Sequence, residues 1–118
     1  MILVDASVWI DHLRTSEKRL LHLLNDGSVL THPLVIEELA CGYLRDRSTI
    51  IENLQALPSA PVATHTEIVG LISKETLYGV GLGAVDVHLI ASAMLSSASL
   101  WSKDKVLSRE ARRLSIEA

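Results

Sequence analysis

The chain has 118 residues, of which 48% are hydrophobic and 3% aromatic, and its formal net charge is −3. This length and hydropathy predict one globular domain over residues 1–118 and exclude a disordered protein. The negative charge and the few aromatic rings exclude a protein that holds nucleic acid by bulk basic charge or by a base-stacking platform. The longest uncharged run, 87–102, is too short to span a membrane, and the single cysteine, Cys41, fits a cytoplasmic protein.

Short aliphatic strands alternate with helices along the chain. Strands are predicted at 2–5, 29–31, 61–64 and 100–102, with a short edge strand at 115–117. Helices are predicted at 7–14, 16–27, 33–44, 48–57, 66–78, 85–97 and 103–114, and a glycine-rich loop at 79–83. Because strands alternate with helices, the pattern predicts a three-layer α/β/α fold around a central parallel sheet.

Acidic residues follow the first and last of the main predicted strands. Asp5 comes directly after the aliphatic run Ile2-Leu3-Val4, and Asp104 lies just past the strand at Leu100. In an open parallel sheet, ligands bind outside the carboxyl ends of the strands. A carboxylate among apolar residues costs free energy unless something binds it. Two acids at two such ends therefore indicate a metal site.

Helix geometry selects two further acids. At about 100° per residue, Glu38 falls on the border of the apolar stripe of its helix, whereas Glu37 faces solvent. On the helix after the glycine-rich loop, Asp86 falls on the core-facing side in the first turn, and His88 falls on the outer face. We expect Glu38 and Asp86 to join the two strand-end acids at one rim of the sheet.

Each acid also has an ordinary explanation. Asp104 could cap a helix, Asp86 could complement a helix dipole, Glu38 could form a surface ion pair and Asp5 could stabilise a turn. Together, however, carboxylates spaced by ~5 Å would repel by ~3 kcal/mol per pair at an effective dielectric constant near 20. Such a cluster requires a divalent cation or partial protonation. Ligands that are all oxygen favour Mg²⁺ or Mn²⁺ over Zn²⁺.

Four segments resemble, in order, the motifs of the PIN-domain family and, within it, the VapC toxins of bacterial toxin–antitoxin pairs. They are residues 1–13 with Asp5, 31–42 with Glu38, 85–92 with Asp86 and 101–105 with Asp104. Two positions depart from the family pattern. Ala6 stands where Thr often follows the first Asp, and Glu37 stands where many relatives have a small residue.

The resemblance implies an Mg²⁺-dependent endoribonuclease that hydrolyses RNA phosphodiester bonds with a metal-activated water. Asp5 and Asp86 would be the principal metal ligands, Glu38 and Asp104 would bind a second ion or metal-bound waters, and Ser7 would hydrogen-bond to a ligand. The resemblance also implies a homodimer and a VapB-type antitoxin whose tail folds along a groove of the toxin and blocks the site.

The only local basic cluster lies near the C-terminus and consists of Lys103, Lys105, Arg109, Arg112 and Arg113. Lys103, Lys105 and Arg109 follow the strand that delivers Asp104, so we expect them to position RNA beside the cleft. The alternative is a solvated helix face without a ligand.

A different class of function is a non-catalytic α/β interaction module. A receiver-like signalling domain lacks support, because the first strand ends in a lone acid, Asp5. A degenerate PIN-like module that only binds partners is opposed by the intact set of four acids. Metal binding would discriminate, because an inactive module should not bind Mg²⁺ or Mn²⁺ at the cluster.

Overall fold

The computed structural model describes all 118 residues. The chain forms three strands and seven helices. The strands are β1 (Ile2–Val4), β2 (Val29–Leu30) and β3 (Ser99–Trp101). The helices are α1 (Ala6–Thr15), α2 (Lys18–Asn25), α3 (Pro33–Cys41), α4 (Arg47–Gln55), α5 (His65–Lys74), α6 (Ala84–Leu95) and α7 (Lys105–Arg113). The predicted α/β/α class with a central parallel sheet is confirmed.

The strands form one parallel sheet in the order β2-β1-β3. Leu3 of the central strand pairs with Leu30 on one side and with Leu100 on the other. The first strand is therefore the middle of the sheet, and its carboxyl end is flanked by the carboxyl ends of both neighbours.

The predicted strand at 61–64 is wrong. The chain near it contributes only an isolated bridge between Thr31 and Ser59 at the outer side of β2. Pro58 and Pro61 flank this bridge, and proline has no backbone N–H to donate to a sheet ladder. The predicted edge strand at 115–117 is likewise reduced to one bridge, between Leu100 and Glu117.

Several helices end at residues other than those predicted. Ser16 is predicted to cap the start of α2, but it ends α1 with a positive φ of 42°, and α2 begins at Lys18. The helix that follows Thr64 ends at Lys74, four residues earlier than the predicted Tyr78. The glycine-rich segment before α6 is a loop, as predicted, with positive φ at Gly79 and Gly81 that favours glycine.

The core is aliphatic and is centred on the sheet. Leu3, Val4 and Leu100 are almost completely buried, and so are Leu89 and Ile90 of α6. This helix packs on β1, β3 and α5, which fixes its first turn at the carboxyl edge of the sheet. None of the helices combines the length and the apolar character that a membrane crossing requires.

Candidate metal centre

Asp5 is the buried acid at the centre of the carboxyl edge. It follows β1 directly, occupies the position before the first residue of α1, and is only 7% exposed. Its Oδ2 accepts hydrogen bonds from the hydroxyl groups of Ser7, at 2.6 Å, and Ser102, at 2.7 Å. Both donors are neutral, so they orient the carboxylate without cancelling its charge.

The two serines join the ends of two strands. Ser7 Oγ accepts from the backbone N–H of Lys103 at 2.9 Å, and Ser102 Oγ accepts from that of Asp104 at 3.0 Å. Ser7 therefore contacts the first of the four acids, as its expected supporting role requires. The role of Ser102 was not predicted, although its place directly after β3 was a signal.

Asp86 lies in the first turn of α6, where its carboxylate accepts the Gly83 N–H at 3.0 Å. Partial burial raises the pKa of Asp86, the hydrogen bond from Gly83 opposes this, and the negative charges of Asp5 and Asp104 raise it further. The Asp86 carboxylate therefore lies close enough to Asp5 and Asp104 for their charges to affect its pKa.

Glu38 projects from α3 with an exposed side chain. Its pKa is nevertheless raised, first by desolvation and then by the negative charges of Asp5 and Asp86. The neighbouring Glu37 is also exposed, and its charge does not contribute to the raised pKa of Glu38 or Asp86. Glu38 thus lies close enough to Asp5 and Asp86 for their charges to affect its pKa.

Asp104 has two roles. Its Oδ1 accepts the Leu107 N–H at 2.9 Å and caps α7, which is the ordinary explanation for an acid at this position. Its charge also raises the pKa of Asp86, so the cap residue belongs to the acidic cluster as well.

The donor set fits a hydrated divalent cation. None of the ion pairs of the protein involves Asp5, Glu38, Asp86 or Asp104, so no basic side chain neutralises these acids directly. No three His, Cys, Asp or Glu side chains are arranged so that they could hold an ion directly. Mg²⁺ usually keeps several waters and is held directly by only one or two carboxylates, so this open arrangement of oxygen donors suits it.

Two of the three expected RNA-binding residues make internal contacts. The Lys103 ammonium donates to Asp11 at 2.9 Å and to Glu17 at 2.7 Å. Arg109 donates to the Val80 carbonyl oxygen at 3.0 Å and pairs with Glu110. Lys105 is exposed and forms no hydrogen bond or ion pair with the chain, so its ammonium is available to a ligand.

The expectation that His88 lies on an outer face is wrong. The side chain is half-buried, its Nδ1 is buried without a partner, and its ring centroid lies 6.4 Å from that of His32. The single-face argument fails because α6 is buried over most of its circumference, including Leu89, Ser92 and Ala93. His32, to which the sequence assigns no role, is completely buried.

Comparison with known proteins identifies the family of the chain. Residues 2–113 match the PIN domain family. The chain belongs to the PIN-domain family. It is 49% identical over 108 residues to Ribonuclease VapC32 of Mycobacterium tuberculosis, in strains H37Rv and CDC 1551, across 91% of this chain and 87% of that protein. The resemblance predicted from the four motifs is therefore confirmed.

Solved structures show the same fold at low sequence identity. FitAcB from Neisseria gonorrhoeae has a TM-score of 0.66 and 19% identity, and the alignment covers 95% of this chain and 94% of that one. PAE2754 from Pyrobaculum aerophilum has a TM-score of 0.62 and 16% identity, over 92% of this chain and 78% of that one. FitAB bound to an IR36 DNA fragment has a TM-score of 0.67 and 19% identity, and the alignment covers 95% of this chain and 91% of that one.

The charge cluster predicts an unusual pH dependence of stability without metal. Because the pKa values of Glu38 and Asp86 are raised above 4.5 and 3.8, the folded protein binds these protons more tightly than the unfolded chain does. Lowering the pH from neutral through the raised pKa values should therefore remove a destabilising contribution, and the gain should level off below the unfolded-state values. The double variant Glu38→Gln/Asp86→Asn should be more stable than the parent at neutral pH, with a difference that shrinks as the pH falls.

Urea denaturation in a chelating buffer, over a pH series, measures this difference. The matched control is Glu37→Gln, which removes one negative charge outside the cluster and should follow the parent curve. A constant difference between the parent and the double variant at every pH would contradict the raised pKa values.

Proposed function

We propose that this protein is an Mg²⁺-dependent endoribonuclease, with Mn²⁺ as a substitute, and the toxin of a type II toxin–antitoxin pair in the cytoplasm. The observation that carries the proposal is the group of acids at the carboxyl edge, Asp5, Glu38, Asp86 and Asp104, none of which forms an ion pair with a basic side chain. The 49% identity to a protein named as a ribonuclease supports RNA as the substrate.

Each of the four acids has a proposed role in metal binding that follows from its surroundings. Asp5, held by Ser7 and Ser102, offers a fixed ligand, and Asp86 offers a second from the start of α6. Glu38 and Asp104 would hold a second ion or orient bound waters. When bound, the divalent ion lowers the pKa of water and neutralises charge that develops on the phosphate.

Substrate positioning is proposed for the basic residues beside this edge. Lys105 at the start of α7 is best placed to contact an RNA phosphate, because its ammonium has no internal partner. Lys103 and Arg109 donate to Glu17 and to the Val80 carbonyl oxygen. They would contact RNA directly only if RNA displaced these partners, and would otherwise stabilise the protein surface beside the cleft.

The central test is the loss of RNA cleavage when one acid is neutralised. Asp5→Asn should abolish Mg²⁺-dependent cleavage without unfolding the protein, because it preserves the shape of the side chain and removes the charge of a metal ligand. Glu38→Gln should impair cleavage strongly, whereas Glu37→Gln, the matched control, should be nearly silent. Cleavage of a labelled RNA pool in Mg²⁺ and in chelator measures all four proteins.

The opposite ranking of the two glutamine variants would exclude Glu38 from the site. A parent protein that binds neither Mg²⁺ nor Mn²⁺ and leaves RNA intact would instead indicate the alternative, a catalytically inactive PIN-like interaction module.

We further propose that a VapB-type antitoxin covers the apolar groove between α1 and α4. Two adjoining cavities, of about 610 and 220 Å³, share Leu13 and Ile50 in their linings. Ile10 and Leu13 are 43% and 39% exposed, and Arg14 and Arg45 line the larger cavity. An amphipathic segment with apolar anchors and acidic flanks would match this surface.

A separate apolar face is proposed for the homodimer. Val69 of α5 and Met94 and Leu95 of α6 are exposed, and the last two border a cavity of about 240 Å³ between these helices. Exposed apolar side chains grouped in this way are typical of protein–protein contacts.

Two charge substitutions separate these surfaces. Leu13→Asp should weaken antitoxin binding by about thirtyfold or more, the ~2 kcal/mol scale of an interface hot spot, and leave the dimer intact. Leu95→Asp should shift the protein to monomer and spare antitoxin binding at the groove. Titration calorimetry with the antitoxin and light scattering after size exclusion measure both effects. If either substitution produced the other's phenotype, the two surfaces would be assigned wrongly.

A further inference from the structure

His32 is a buried histidine with two directed hydrogen bonds. Its ring is 0% exposed, and its Nδ1 accepts the backbone N–H of Leu34 at 3.0 Å, which caps α3. Its Nε2 lies 3.0 Å from the hydroxyl of Ser92, which is also 0% exposed. Because Nδ1 accepts, the neutral ring carries its proton on Nε2 and donates to Ser92. Burial, with a smaller effect from His88, lowers the pKa of His32 and favours this neutral ring.

The bond from His32 to Ser92 joins the two helices that carry acids of the cluster. Glu38 lies six residues after His32 on α3, and Asp86 lies six residues before Ser92 on α6. At 1.5 Å per residue, each acid is about 9 Å along its helix from the bond. A small change of angle between the helices at the bond therefore changes the distance between the two carboxylates.

Besides this bond, the rings of His32 and His88 meet across the same two elements, with 6.4 Å between their centroids. Helix α3 packs mainly on α1 and α4, whereas α6 packs mainly on α5, β1 and β3. The buried hydrogen bond is thus a direct connection between helices whose principal packing partners differ.

We propose that His32 is a positioning residue of the metal centre, which sets the separation of Glu38 and Asp86 through its bond to Ser92. The inference rests on the proposed function, because the separation has a chemical consequence only if the two carboxylates share the site of a metal ion. Groups that orient metal ligands without touching the metal commonly change metal affinity by tenfold or more when removed.

His32→Asn and Ser92→Ala test the connection separately from the helix cap. The asparagine Oδ1 can still accept the Leu34 N–H, but the shorter side chain does not reach Ser92. Ser92→Ala removes the other partner and leaves the cap intact. Both variants should bind Mn²⁺ about tenfold more weakly than the parent. At saturating Mn²⁺, both should cleave RNA with the parent KM, and much of the lost kcat should return.

The Mn²⁺ dissociation constant of the full chain is measured by electron paramagnetic resonance of the free ion, well below each melting temperature. Thr31→Val is the matched control, because the Thr31 hydroxyl is buried beside His32 without a hydrogen-bond partner. It should keep the parent Kd. His32→Gln, whose amide reaches further toward Ser92, should bind Mn²⁺ more tightly than His32→Asn.

Parent-like Mn²⁺ affinity in both His32→Asn and Ser92→Ala would overturn the inference, even if their melting temperatures fell. An unfolded His32→Asn would leave Ser92→Ala and His32→Gln to decide by the same criterion. A parent protein that bound no Mn²⁺ would overturn the proposed function itself, a failure that is visible before any substitution is made.

Discussion

The repulsion expected among four carboxylates at the carboxyl edge of the sheet is the interaction on which the proposed metal centre depends. Asp5, Asp86 and Asp104 each accept hydrogen bonds from neutral groups, which are serine hydroxyls or backbone N–H groups. Neutral donors hold a carboxylate in place and leave its negative charge available. The fold therefore stabilises the positions of these three acids, and in the proposed metal centre a cation balances their charges.

Two basic residues of the same region, Lys103 and Arg109, pair with acids outside the cluster, whereas Lys105 has no internal partner. Lys103 follows Ser102 directly, yet its ammonium pairs with Asp11 and Glu17. Arg109 and Arg113 of α7 both pair with Glu110, whose pKa these hydrogen bonds lower. These pairs keep cations off the cluster, although surface ion pairs contribute little to stability. Their arrangement is consistent with a rim that remains negative at its centre.

The parts of the site that could be predicted from sequence are set by local geometry. A residue that directly follows a parallel strand lies at the carboxyl edge, and helical periodicity separated Glu38 from Glu37. The features that the sequence does not predict are contacts between residues far apart along the chain. These are Ser102 with Asp5, Lys103 with Glu17, and His32 with Ser92. The strand predicted at 61–64 does not form. Its prediction rests on the local strand propensity of the segment, whereas a strand also requires hydrogen bonds to a neighbouring strand.

The most direct measurement of the central claim is the position of a metal ion in crystals of this protein soaked in Mn²⁺. An anomalous difference map should show a peak in the cleft among the four acids, with Asp5 and Asp86 nearest to it and water completing the coordination. The same soak of Asp5→Asn should give a much weaker peak. A parent crystal whose strongest peak lies elsewhere, with none among these carboxylates, would contradict the assignment of a metal centre.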